Sequence, residues 1–236
     1  MGKKLVQGFT GLVLVGFVIV HLIGNFTLLF GQQAFNDYAH FLEELGHGMV
    51  VPVADCVLLL VVLSHVVTGI RVAWLDKNAA RPSRYLRSGN AGGPSRKSLS
   101  SQWMIGSGLL LLVFLVVHLL NFKYAVAGVG KGPIDEIWVG DPRVDAYRVR
   151  DLYTLVVKTF HDPLWLAFYE ICMVMLGMHL WHGIWSAFQS LGLTHPRWMP
   201  ALTWLGWGAA AALAVGYLFL PIYVYTIPLP PGGPTP

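Results

Sequence analysis

The chain has 236 residues, of which 55% are hydrophobic and only 12% charged, with a formal net charge of +4. A soluble domain carries about a quarter of its residues as charged side chains, so this composition excludes an ordinary soluble protein and reads as a membrane protein. Cys56 and Cys172, the two cysteines, both lie in apolar stretches, which argues against a disulfide framework and gives no spacing for a zinc or iron–sulfur site.

Five stretches reach the roughly 20 residues that a helix needs to cross a bilayer of about 30 Å. They are Leu5 to Phe30, Val50 to Trp74, Trp103 to Ala125, Pro163 to Leu191 and Pro200 to Tyr225. The expected fold is therefore an all-α, multi-pass membrane protein, a single integral membrane domain over residues 1–236. The first stretch is too long for a signal peptide and no small-residue cleavage site follows it. Asn25 opens an Asn-Phe-Thr triplet, but inside a span such a glycosylation signal is inert. Gly31 to Met49 reads as an external loop. Ser100 and Ser101 stand before the third span as cap candidates. The link from Asp76 to Gln102, rich in Arg, Ser, Gly and Pro, reads as a solvated loop. The link from Phe122 to His161 mixes acidic residues with basic ones and predicts a short amphipathic helix around Tyr147 to Lys158. Asp162 followed by Pro163 is an N-cap before the best-tolerated helical proline position, and Pro200 serves the last span likewise.

Basic residues orient these spans. With the N-terminus cytoplasmic, that side receives Lys3, Lys4, Arg71, Lys77, Arg81, Arg84, Arg87, Arg96, Lys97 and Arg197, against six basic residues in the Phe122 to His161 link and no Lys or Arg in Gly31 to Met49. The positive-inside rule then places the N-terminus in the cytoplasm and the C-terminal "PLPPGGPTP" outside. The positive charge is thus a topology signal. It lacks the interleaved aromatics and groove-reading elements of a nucleic-acid binder.

Four histidines sit inside the apolar runs. At about 1.5 Å per residue, His21 and His118 lie about 15 residues or more from the inner ends of the first and third spans, toward the outer leaflet. His65 and His179 lie as far from the outer ends of the second and fourth, toward the inner leaflet. Ionisable groups in hydrocarbon are costly and mark functional sites, and imidazole is a ligand of haem iron. Four spans therefore predict a haem-binding bundle with two b haems, one held by His21 and His118 and the other by His65 and His179. Gly69 and Gly183 each follow a histidine by four residues, on the same helix face, and are expected to clear space beside His65 and His179. His182, one turn from His179, stands as a neighbouring group or as the alternative ligand.

The segments "HLIGN", "AFNDYAHFLEELG", "SHVVTGIRVAW", "KNAARPSRY", "FLVVHLLNFKY" and "MHLWHGIWSAFQSLG" together resemble the five-helix, single-polypeptide, two-haem cytochrome b anchor of succinate:quinone oxidoreductases and quinol:fumarate reductases. The likeness covers nearly the whole chain. It implies an electron-transfer anchor in a bacterial cytoplasmic membrane, with a flavoprotein subunit carrying FAD and an iron–sulfur subunit docked on the cytoplasmic face. Succinate chemistry then belongs to those partners, menaquinone is the mobile partner, and a higher oligomer of the complex is compatible. The resemblance implies the same ligand pairs, His21 with His118 for the outer haem and His65 with His179 for the inner one.

A quinone-site carboxylate of some members is matched by spacing at Glu43, with Glu44, His40 and Asp55 as neighbours. Asp55 has a separate physical case, since an acid just inside a span needs a partner. Gly177 stands where some members have a glutamate two residues before the fourth-span ligand, which argues against that form of transmembrane proton path, and Glu170 is the alternative carrier. Two other readings stay open on sequence. One is a two-haem cytochrome b of another quinone-linked dehydrogenase, distinguished by its co-purifying partner. The other is a haem-free anchor or proton relay, distinguished by a haem count.

Overall fold

A computed structural model of the protein describes residues 2–75, 98–132, 134–139 and 147–229. The "KNAARPSRY" segment, the basic residues from Lys77 to Lys97 and the last residues of the C-terminal tail lie outside them. Among the described residues, five helices are long and apolar enough to cross a membrane: Gly2–Phe30, Val50–Ala73, Met104–Lys123, Pro163–Ser190 and Met199–Thr226. In finer detail the chain runs through α1 (Gly2–Asn25), a 3-10 turn (Phe26–Phe30), α2 (Gln32–Glu44), α3 (Val50–Ile70), α4 (Leu99–Gln102) and α5 (Met104–His118). A short hairpin, β1 (Glu136–Val139) and β2 (Tyr147–Arg150), precedes α6 (Leu152–Phe160), α7 (Pro163–Ser190) and α8 (Met199–Thr226). The second span, α3, has no buried residue, as expected where lipid replaces protein as the apolar solvent.

Helix starts follow local chemistry. Asp162 Oδ1 accepts from the Leu164 N–H at 3.0 Å, with Pro163 as the first residue of α7. Ahead of the third span the cap is Ser98, whose hydroxyl accepts from the Ser101 N–H at 3.2 Å, rather than Ser100 or Ser101. Two links hold more structure than their composition indicates. Gly31 to Met49 contains α2, an amphipathic helix that buries Phe35 and Asn36; it is too short and polar to register as a span. Residues 147–150 form a strand, because the Tyr-Arg-Val-Arg alternation finds an antiparallel partner, with Glu136 opposite Arg150 and Ile137 opposite Val149. Val149 is buried, while Arg148 lies over the Trp138 ring at 5.7 Å on the other face. The amphipathic helix expected around Tyr147 to Lys158 accordingly starts at Leu152.

The chain divides into two compact units, each drawing on several helices. The first comprises Met1–Phe17, Val57–Leu111 and Met175–Ala212. Its helices approach closely at glycines: a Cβ on Gly8 would stand 3.0 Å from the Ala187 carbonyl oxygen, and one on Gly206 3.1 Å from the Trp185 nitrogen. Trp181 and Trp207 stack with ring centroids 5.4 Å apart.

The second unit comprises Val18–Cys56, Leu112–Val174 and Leu213–Pro236. Its core joins Leu28, Phe35, Tyr153, Val156, Val157, Phe160, Tyr169 and Val224. Asp151 pins α2 to α6. Its carboxylate accepts from Gln32 Nε2 and Asn36 Nδ2, both at 2.9 Å, and from the Thr154 N–H at 3.2 Å, while Asn36 Oδ1 accepts from the Tyr153 N–H at 2.9 Å. Every lone pair so engaged removes part of the cost of burying a carboxylate.

Candidate functional site

In the first unit, His65 on α3 and His179 on α7 face each other with ring centroids 6.4 Å apart and planes at 68°. Each ring is backed by a hydroxyl from a different helix. Thr10 Oγ1 on α1 lies 3.3 Å from His65 Nδ1, and Ser107 Oγ on α5 lies 3.1 Å from His179 Nδ1. Both hydroxyls already donate to a carbonyl one turn back, Thr10 to Val6 at 2.7 Å and Ser107 to Trp103 at 2.8 Å. A hydroxyl has one proton to give. Its remaining role toward the ring is to accept, which puts the imidazole proton on Nδ1 and leaves the lone pair on Nε2. The Gln7 amide nitrogen is 3.3 Å from His65 Nε2, with Thr68 donating to the Gln7 carbonyl oxygen.

The glycines beside these rings are Gly11 and Gly108. A Cβ on either would stand 3.3 Å from the Cε1 of His65 or of His179. Gly69, expected to clear space for His65, instead faces the Gln7 side chain, 3.3 Å from a built Cβ; Gly183 has nothing within 4 Å. Sequence reasoning missed Thr10, Gly11, Ser107 and Gly108, although a signal was present. "TGLVLVGFVIVH" and "SGLLLLVFLVVH" repeat a hydroxyl–glycine pair eleven residues before His21 and before His118. His182 packs edge-on against Trp185, centroids 5.0 Å apart, and its Nδ1 is buried without a hydrogen-bond partner.

In the second unit, His21 on α1 and His118 at the end of α5 face each other with centroids 5.8 Å apart and planes at 88°. Tyr217 stacks on His21 at 6.5 Å, and Phe114 on His118 at 5.5 Å. Tyr169 on α7 reaches His118 Nδ1 with its hydroxyl at 3.5 Å. A single π-helical turn, Leu119–Lys123, follows His118 and carries the fully buried Asn121; such turns re-aim side chains and recur at functional sites.

These pairs suit a metal held between two imidazoles. With about 2 Å from each nitrogen to a metal and the distance from that nitrogen to its ring centre, two axial imidazoles have centroids roughly 6 Å apart. Among the described residues no group of three or more His, Cys, Asp or Glu converges, so the donor set is one of separate histidine pairs. That is the requirement of a macrocycle that supplies the other four ligands itself.

The acidic candidates Glu43 and Asp55 fall in the second unit. His40 and Glu43, one turn apart on α2, line a shallow surface indentation with Asn36, Ala39, Val149, Arg150 and Leu152. Asp55 is not among its lining residues. It pairs with Lys123, whose carbonyl oxygen accepts from Arg150 Nη2 at 3.0 Å, and Arg150 Nη1 donates to Glu43 at 3.2 Å. The carboxylates of Glu43 and Asp55 are thus the ends of one chain, two ion pairs joined by the hydrogen bond from Arg150 to the Lys123 carbonyl. Glu170 Oε1 is buried without a partner.

The architecture defines a multi-pass helical membrane protein with paired intramembrane histidines. The family model for the succinate dehydrogenase/fumarate reductase transmembrane subunit matches residues 5–92. The chain is also similar to the succinate dehydrogenase cytochrome b558 subunit of Bacillus subtilis (strain 168), 23% identical over 190 residues that cover 78% of this chain and 76% of that protein. No solved structure matches. The two likenesses support a membrane subunit of the succinate dehydrogenase/fumarate reductase kind.

Proposed function

We propose that this chain is the membrane anchor and electron-transfer subunit of a succinate dehydrogenase or fumarate reductase, with two b haems held by His21 with His118 and by His65 with His179. The observation that carries this reading is the twofold pairing of intramembrane imidazoles, with hydroxyls of Thr10 and Ser107 holding the Nδ1 side of one pair. Bound in this way, a bis-histidine haem supplies one-electron transfer with no open iron position for substrate.

The chain's own residues do the rest. The hydroxyls fix the tautomer and ring orientation, as partners of metal-bound histidines do. Gln7 would turn its amide away from His65 Nε2 when that nitrogen ligates. Gly11 and Gly108 keep room at the ring edges. On the outer side, His40, Glu43 and Asp55 are the groups placed to hand protons to or from menaquinone. An iron–sulfur subunit and an FAD-bearing flavoprotein subunit dock on the cytoplasmic face and carry the succinate site, so this chain relays electrons without oxidising succinate itself.

The purified membrane complex tests this by pyridine haemochrome count and visible difference spectra. Two b haems per chain are expected, at least one reduced by succinate. His118→Ala and His179→Ala should each lose a different haem. A haem-free complex, or an unchanged count in both variants, overturns the ligand assignment.

A further inference from the structure

Asn121 and Tyr169 pose a problem of unpaired polarity. Asn121 is fully buried, its Nδ2 donates to the Tyr169 hydroxyl oxygen at 3.3 Å, and its Oδ1 has no partner. The tyrosine ring is packed against Phe114, Phe122 and Phe160, with centroids between 5.1 and 5.7 Å, and is only 4% exposed. Its hydroxyl points at one outward target, His118 Nδ1 at 3.5 Å. An orphaned acceptor in a membrane interior costs several kcal/mol in hydrocarbon, by order of magnitude, unless another state of the site uses it.

We propose that Tyr169, held by Asn121, is the positioning residue for His118, its hydroxyl oxygen accepting a hydrogen bond from the Nδ1–H that His118 would carry as an iron ligand. This rests on the reading of His118 as a haem ligand. Ligation through Nε2 requires the ring proton on Nδ1. That N–H then donates to the Tyr169 oxygen, and the tyrosine O–H must be given to another acceptor. Asn121 Oδ1 is that acceptor once the amide turns over about its Cβ–Cγ bond and its side-chain axis. Every polar atom from His118 Nδ1 to Asn121 Oδ1 is then engaged, with the amide nitrogen taking the place that Oδ1 leaves.

The consequence is electronic. An acceptor on the far nitrogen raises the basicity of a histidine ligand, which favours the ferric state and lowers the reduction potential. The two histidine pairs are served by different chemistries: Thr10 and Ser107 back His65 and His179, whereas a buried phenol and an amide back His118. Removing the phenol hydroxyl should therefore move one haem alone.

The test is redox titration of the purified complex carrying Tyr169→Phe, with Ser107→Ala as the crossed control. Phenylalanine keeps the ring contacts and deletes only the hydroxyl. Both haems should remain by pyridine haemochrome count. The haem that His118→Ala removes should shift about fivefold toward the reduced form, a rise of about 40 mV at 59 mV per tenfold for one electron. Ser107→Ala should raise the other potential instead. Retained haems with unmoved potentials, or an equal shift of both haems, overturn the proposal. If Tyr169→Phe fails to assemble, Asn121→Leu decides: a rise confined to the same haem supports the chain, and no shift overturns it. Two haems retained in His118→Ala would instead refute the ligand reading on which the proposal stands.

Discussion

Asp151 shows how a single carboxylate can hold the extramembrane part of the second unit. Burial alone pushes its pKa up, but hydrogen bonds from Thr154, Asn36 and Gln32 outweigh that and hold it below the usual carboxylate value. A depressed folded pKa means stability that is present above the unfolded value of about 3.9 and is lost as pH falls through the folded one. Asp151→Asn keeps the shape but replaces one acceptor oxygen with an NH2 donor that faces a donor of Gln32 or Asn36, so it should cost about 1–3 kcal/mol at neutral pH. Thermal melts of the purified complex check this: the gap between variant and parent should be full at pH 7 and close as the pH falls through the folded pKa. A gap independent of pH would mean that the ionisation of Asp151 contributes nothing to stability. Asp162 is also held low, first by its Lys131 partner, but that pair is solvent-accessible and such pairs contribute little.

At the scale of elements, the spans are legible in the sequence because 20 or more apolar residues have few other uses, whereas α2 and the β-hairpin are not. Both are short, polar on one face and stabilised by partners far along the chain, as when Asn36 of α2 meets Asp151 and Tyr153. Helical rise is constant, so depth along each span predicts which histidine rings meet. Depth says nothing about what lies beside a ring, and that is why Gly69 and Gly183 were expected where Gly11 and Gly108 stand. Gly108 gives the sharper test. A Cβ at 3.3 Å from His179 Cε1 is already tight, so Gly108→Val should displace the ring and lose the haem assigned to His65 and His179 while the other is retained. Gly208→Ala, where a Cβ meets nothing within 4 Å, should leave the spectrum unchanged. Loss of both haems in Gly108→Val would indicate general misassembly of α5.

For the whole molecule, five spans put the two termini on opposite faces, and charge decides which. Lys3, Lys4, Arg71 and Arg197 cluster near the ends of helices that share one face. Lys123, Lys131, Arg148, Arg150 and Lys158 lie in the segments between α5 and α7, where α6 and the hairpin fold with α2. The second group is partly neutralised by its own acids: Lys123 by Asp55, Lys131 by Asp162, Arg148 by Glu136 and Arg150 by Glu43. Positive charge counts for retention in the cytoplasm chiefly in short loops near span ends, and the first group, with the basic run from Lys77 to Lys97, fits that description better. The positive-inside rule thus supports the proposed cytoplasmic N-terminus, with the proposed docking face for soluble partners on that side. Alkaline phosphatase fused after residue 131 should therefore be active, and fused after residue 195 inactive. The reverse pattern would invert the chain in the membrane, move the His65 and His179 pair to the far leaflet and contradict the proposed docking of electron-supplying partners on the cytoplasmic side.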